Sequence, residues 1–242
     1  MITKVNYKLS PLDGKPKQIL IAIHGFAGDA NSSTIQELAD KLRKDNVLVV
    51  SFDLPCHGDD KSTMPLDLDL CYKYLNMVVS GVKKEYDLPI SFFATSFGGY
   101  LLLNYLKNTK YNFANAKIIL RAPAVYMDEI LVQKILPEHN YQLKDLQNGV
   151  VDLGYEKPLL VANKFLTQLE KDKITTINTN YFYNIIQGKK DNIVDYKQNQ
   201  KLFRRYPKNY KFYYFPKADH RFKNEGDLTK IVEIVENILV SK

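Results

Sequence analysis

Six short apolar runs recur along the chain: QILIAI (18–23), VLVVSFDL (47–54), ISFFAT (90–95), KIILRAP (117–123), YFYNIIQ (181–187) and YKFYYF (210–215). They are rich in β-branched and aromatic residues and too continuous to leave one face in water, as strands of a parallel sheet covered on both sides must be. Between most of them lie segments of helical period. SSTIQELADKLRK (32–44) opens on cap-type serines, and DLDLCYKYLNMVVSGVKKEY (67–86) spaces its apolar residues three and four apart. GYLLLNYLKN (99–108) and DLTKIVEIVENILV (227–240) are further helical segments. This alternation predicts an α/β domain, a mostly parallel central sheet flanked by helices on both faces. A chain of 242 residues is the size of one such domain, so residues 1–242 are expected to form a single unit. TKVNYKLS (3–10) predicts an added N-terminal strand that turns at Asp13-Gly14 and pairs antiparallel at the sheet edge.

The alternation breaks once, between Pro123 and about Asn180. The interval holds YMDEILVQKIL, a loop-like PEHNYQLKDLQNGVVDLGYEKP and a helix-like PLLVANKFLTQLEK, and is long for a crossover connection. It predicts a small cap, inserted at about 124–175, over the ends of the strands. Its last helix is also a candidate for the cover of the sheet itself.

Several function classes fall away on composition and spacing. The net charge of +7 suggests nucleic acid, but the lysines alternate with acids, as in KLRKDN and LEKDK, and form no block of the kind a phosphate footprint needs. No window approaches the roughly 18 uncharged apolar residues of a membrane span, and MITKVNYKLS has no apolar run after its charges. A soluble, unexported protein is expected. Its two cysteines, Cys56 and Cys71, have no metal-ligand spacing, which favours free thiols in a reducing cytoplasm. The group Asp53, Cys56, His57, Asp59 and Asp60 resembles a ligand set only in residue type, so no metal is expected. GDDKST (58–63) lacks the upstream glycines and the Gly-Lys pair of a phosphate loop, and no dinucleotide fingerprint follows the first strand.

Ligands of parallel sheets bind at the carboxyl ends of strands. The loops there read HGFAGD (24–29), TSFGG (95–99), GKKDNIVD (188–195) and KADHRF (217–222), and together they supply a serine, an acid and a histidine. A serine hydroxyl is a poor nucleophile until a base takes its proton, and the base needs an acid to fix its tautomer and stabilise its charge.

These residues resemble the α/β-hydrolase family over nearly the full chain. Ala94-Thr95-Ser96-Phe97-Gly98, followed by Gly99, is similar to the family's G-x-S-x-G turn, with alanine at the first small position. The family order of serine, acid and histidine is matched by Ser96, Asp191 and His220. Gly188-Lys189-Lys190-Asp191-Asn192-Ile193-Val194 is similar to its G-x-x-D-x-x-V acid loop. The resemblance implies Ser96 as nucleophile, His220 as base and Asp191 as its orienting acid. Asp195, Asp219 and Asp128 are rival acids, of which Asp195 is placed to cap the following helix. His24 and His57 lie in loops similar to the family's HG turn and its D-x-P-G-H-G loop, in which Cys56 replaces a glycine; both are expected to brace those loops. His139 falls in the cap. The short HGF turn implies backbone N–H groups of Phe26 and Phe97 as an oxyanion hole. HGFAGD with a short cap is similar to small bacterial carboxylesterases, including those acting on cinnamoyl or feruloyl esters. The implied partner is a small-molecule ester, with no cofactor, and Tyr126, Tyr141 and Tyr155 are candidates to line its pocket. A thioesterase, a C–C bond hydrolase and a catalytically silent scaffold share the pattern. Nothing in the sequence indicates an oligomeric state.

Overall fold

A computed structural model describes residues 5–60, 64–113 and 115–240. Residues 3 and 4 of the expected N-terminal strand, and 61–63 of GDDKST, lie outside the described residues. The elements run β1 (Tyr7–Leu9), β2 (Gln18–Ile23), α1 (Ser33–Leu42), β3 (Val47–Phe52), α2 (Leu68–Glu85), β4 (Ile90–Thr95), α3 (Phe97–Asn108) and β5 (Ile118–Arg121). After an interval described below come β8 (Tyr183–Gly188), α8 (Tyr196–Phe203), β9 (Tyr210–Phe215) and α9 (Asp227–Val240).

Among the described residues, seven strands form one sheet in the order β1-β3-β2-β4-β5-β8-β9, parallel except for β1, which pairs antiparallel with β3 at the edge. From the edge strand β1 the chain crosses to β2 near the middle of the sheet and winds outward both ways, so the ends of β2, β4, β5 and β8 lie side by side. Successive side chains on each strand face opposite layers. Ile19, Ile21, Ile23, Val50, Phe92 and Leu120 pack towards α2 and α3. Their neighbours Leu20, Ala22, Val49, Phe93 and Ile119 pack towards Ile35 and Leu38 of α1 and Ile231 and Val235 of α9. Both faces are therefore dry, which accounts for the unbroken apolar runs. The fold is the α/β-hydrolase arrangement.

Between β5 and β8 lie α4 (Met127–Ile130), a π-turn (Leu131–Ile135), α5 (Leu136–Glu138), α6 (Leu143–Asn148), a two-stranded hairpin of β6 (Val150–Asp152) and β7 (Leu160–Ala162), and α7 (Asn163–Lys171). The hairpin departs from the loop and single helix that the sequence suggests here. Val151 and Val161 face each other across it and are buried, while Asp152 accepts from the N–H groups of Gly154 and Leu159 and closes its turn. Strands of three residues are too short to show a period, and Pro158 looks like a first helical residue although the helix starts at Asn163. The interval is tied down on one side: Leu66 N–H donates to Leu160 O at 2.7 Å, Leu68 N–H to Gln168 Oε1 at 3.0 Å, and Lys164 pairs with Asp67.

Candidate active site

Ser96 sits between β4 and α3 with φ 50° and ψ −114°, a conformation that L-residues rarely adopt. The turn is this sharp because α3 starts at once and is buried along most of its length under the sheet. Gly98 shows how tightly it is held: a Cβ there would lie 2.4 Å from His24 O and 2.7 Å from Ile23 O. Ala94, by contrast, is an ordinary buried strand residue paired with Ile23 and Leu120, so its methyl group is accommodated. Ser96 N–H donates to Arg121 O on the neighbouring strand at 2.9 Å.

The structure brings Ser96, Asp191 and His220 together. His220 Nε2 lies 3.1 Å from Ser96 Oγ, and His220 Nδ1 lies 2.8 Å from Asp191 Oδ2. Asp191 is held on its other sides: its Oδ1 accepts from Ile193 and Val194 N–H at 3.0 and 2.8 Å, and its Oδ2 also accepts from Gln187 Nε2 at 3.2 Å. Gln187 is fully buried and is itself oriented by Asn199, whose Nδ2 donates to Gln187 Oε1 at 2.7 Å. Sequence reasoning missed this brace. Its signal was a glutamine at the end of the apolar strand YNIIQG, four residues before the acid.

The rival acids are engaged elsewhere. Asp195 caps α8 by accepting from Lys197 N–H at 2.9 Å. Asp128 is paired with Lys173 at 2.8 Å. Asp219 accepts from Arg221 N–H at 3.0 Å, across the turn that carries His220. His24 and His57 brace loops. The Nδ1–H of His24 donates to Gly25 O at 2.8 Å and its Nε2 accepts from Leu54 N–H at 3.0 Å, which requires a neutral ring. His57 donates to Pro55 O at 2.7 Å, while its Nε2 is buried without a partner among the described residues. Burial lowers the pKa of both rings, that of His57 to about 3, with the neighbouring His24 adding to the effect. Asp53 ties the same loops together by accepting from Ala30 and Asp59 N–H at 2.8 and 3.0 Å. Among the described residues no three His, Cys, Asp or Glu side chains are grouped to hold a metal ion.

Phe97 is the first residue of α3, so its N–H belongs to the first-turn donors that have no acceptor within a helix. The Phe97 ring is buried, and Phe26 meets it edge-on at 6.0 Å and lines the cleft over Ser96. The turn after His24 is closed by Gly28 N–H donating to Gly25 O at 3.1 Å.

The cavity at Ser96 and His220 measures about 380 Å³, with Met127, Ile130, Ile135 and Ile193 as its apolar wall. A second cavity of about 460 Å³, reaching Cys56, His57 and Gly58, adjoins it and shares Phe26, Tyr155 and Arg221 with it. Tyr155 OH donates to Glu138 Oε1 at 2.8 Å and the Arg221 guanidinium lies 5.5 Å from the Tyr155 ring centroid, so this pair forms the partition. Of the three tyrosines expected to line the pocket, only Tyr155 does so; Tyr126 and Tyr141 pack against the core instead.

The family described as Hydrolase_4, serine aminopeptidase S33, matches residues 14–152, a stretch that includes Ser96 and stops short of Asp191 and His220. No curated protein matches the chain by sequence. Among solved structures, Est1E of Butyrivibrio proteoclasticus with ferulic acid bound is similar at a TM-score of 0.79 and 18% identity, over 98% of this chain and 94% of that one. Mouse alpha/beta hydrolase domain-containing protein 10 is similar at 0.76 and 17%, over 98% and 95%. A soluble variant of Saccharomyces cerevisiae monoglyceride lipase in complex with a substrate analog is similar at 0.73 and 16%, over 97% and 90%. At such identities the likeness speaks for the fold.

Proposed function

Since the chain belongs to the Hydrolase_4 (serine aminopeptidase, S33) family of α/β-hydrolases, we propose that it is a carboxylic ester hydrolase working through Ser96, His220 and Asp191. The observation that carries this reading is the position of His220, within hydrogen-bond reach of Ser96 Oγ on one nitrogen and of Asp191 on the other. In this mechanism His220 Nε2 takes the Ser96 proton as Oγ attacks the carbonyl carbon, and the carbonyl oxygen becomes an oxyanion facing the N–H groups of Phe26 and Phe97. Collapse breaks the bond to the leaving group, which receives the proton from Nε2 and departs as an alcohol. Water, deprotonated by the same nitrogen, then releases the acid and restores Ser96. The substrate would be a small ester with an apolar acyl group, matched to the isoleucine wall of the cavity. No cofactor enters these steps. A fluorophosphonate probe should label the wild-type protein and not Ser96→Ala, and the same substitution should abolish hydrolysis of p-nitrophenyl acetate and butyrate. Absence of labelling on folded wild-type protein would overturn the reading.

The family description names an aminopeptidase, and a substrate ammonium group requires a carboxylate to receive it. Glu138 and Asp219 line the cavity, but Glu138 is bonded by Tyr155 and lies 4.0 Å from Arg221 Nη2. Esters are therefore the favoured class. Faster turnover of aminoacyl p-nitroanilides than of any p-nitrophenyl ester would reverse that order.

A further inference from the structure

Arg121 ends β5, the strand lying between β4, which leads to Ser96, and β8, which leads to Asp191. Its register partners are Thr95 on one side and Ile186 on the other, and its carbonyl accepts the Ser96 N–H. Its side chain points into the layer shared with α1 and α9. There Nη1 donates to Thr34 Oγ1 at 2.6 Å, and the guanidinium carbon lies 5.3 Å from the centroid of the Phe222 ring. Phe222 closes the turn that carries His220: its N–H donates to Asp219 O at 3.4 Å, its φ is 54°, and its ring packs edge-on against Phe215 at 5.3 Å.

An arginine here is unexpected on packing grounds. Its Nε is buried with no partner among the described residues, and no carboxylate is in ion-pair contact with it there. A largely buried cation without a direct counter-ion is costly, because its lost hydration is not returned by a contact pair. Burial accordingly draws its pKa down to about 10, and the Asp191 and Asp219 carboxylates act against that fall. The guanidinium remains charged at neutral pH.

We propose that Arg121 is a positioning residue of the Ser96–His220–Asp191 site, a cation packed against the turn that presents His220 and fixing that turn through Phe222. The inference rests on the catalytic reading of those three residues. The side chain touches the base-bearing turn, and the main chain holds the nucleophile. A neutral residue would take a cation away from beside that turn, which favours a proton on the imidazole the turn carries.

The other charges around His220 are Asp219, Arg221 and Lys223 on its own turn and Glu138 on the cap, with the Tyr155 hydroxyl bonded to Glu138. All of them remain in Arg121 variants. The test is therefore a comparison of wild type with Arg121→Met, Arg121→Gln and Arg121→Lys, reading the pH profile of kcat/KM on a p-nitrophenyl ester and the NMR titration of the His220 imidazole. Loss of the charge is expected to move the ascending limb and the His220 titration to higher pH. It should also lower the limiting kcat/KM about tenfold as the turn loosens. Arg121→Lys should keep the wild-type limb while sharing part of the rate loss. A residue that served packing alone would lower activity or Tm and leave both titrations unmoved, and that result, in whichever neutral variant folds, overturns the proposal. The two readings separate cleanly: a shifted His220 titration in a protein that cleaves no ester refutes the hydrolase assignment and leaves the Arg121 coupling standing.

Discussion

Asp191 and Asp195 lie in one loop and have opposite uses. Asp191 gathers two backbone N–H groups, Gln187 and His220, whereas Asp195 spends its carboxylate on the first turn of α8. Asp191→Asn should keep the shape but offer His220 the wrong hydrogen-bonding partner, lowering kcat by roughly 10³- to 10⁴-fold. Asp195→Ala should cost about 1 kcal/mol in urea unfolding with kcat unchanged. Equal losses of activity would show that the loop's shape, and not the Asp191 carboxylate, matters. At the same scale, Gly98→Ala drives a methyl group into the His24 and Ile23 carbonyls and should destabilise by about 1–3 kcal/mol. Ala94→Gly, at an ordinary buried strand position, should keep activity and lose only about 0.5–1 kcal/mol. These residues differ in how far the sequence reveals them. Ser96, Asp191 and His220 each follow a recognisable strand, so their positions in the chain imply their neighbourhood. Gln187 leaves only a polar residue at the end of an apolar strand as its sign, whereas Arg121 meets Thr34 and Phe222 from distant parts of the chain, and an interaction that depends on which elements adjoin leaves no local pattern.

The strands and helices were legible because both sheet faces are buried and the helices have long apolar faces. The β6–β7 hairpin was not, since its pairing rests on three residues a side and on the Asp152 carboxylate closing the turn. That hidden element sets the shape of the cleft. Its connecting loop carries Tyr155 to the partition between the two cavities, where Glu138 and Arg221 hold it although the ring is 57% exposed. Removing the ring should join the spaces of about 380 and 460 Å³. Tyr155→Ala is therefore expected to raise kcat/KM for p-nitrophenyl octanoate relative to the acetate by about tenfold, the discrimination that a few methylenes provide in an apolar pocket. Tyr155→Phe loses the bond to Glu138 but keeps the wall, and should stay near the wild-type ratio. If the chain-length ratio is the same in all three proteins, the partition does not select substrates.

At the scale of the whole molecule, the loops over the sheet are fastened by groups that must stay uncharged, and this sets a limit on stability in acid. His24 and His57 lie with ring centroids 5.1 Å apart, both buried and neutral, and the second, if protonated, would put an N–H into a site with no acceptor among the described residues. In the unfolded chain each binds a proton near pH 6.5, whereas in the folded protein His57 resists protonation down to about pH 3 and His24 is lowered in the same direction. Below pH 6.5 the unfolded state therefore holds more protons, and folding stability is lost as the pH falls; above it the two rings impose no penalty. Each ring contributes up to about 1.4 kcal/mol per pH unit in that window. Carboxylates held down by ion pairs, such as Asp67 and Glu236, act later, because their unfolded values are 3.8 and 4.5. Urea unfolding between pH 6.5 and 5 should thus show stability falling by up to about 1.4 kcal/mol per pH unit from His57 at the lower end of the range, with His24 adding in the same direction. His57→Gln, which can still donate to Pro55 O, should remove the His57 share of that slope. A slope that His57→Gln leaves unchanged would mean that His57 takes up its proton in the folded state, and the packing of the loops around Ser96 would then have to tolerate a charge.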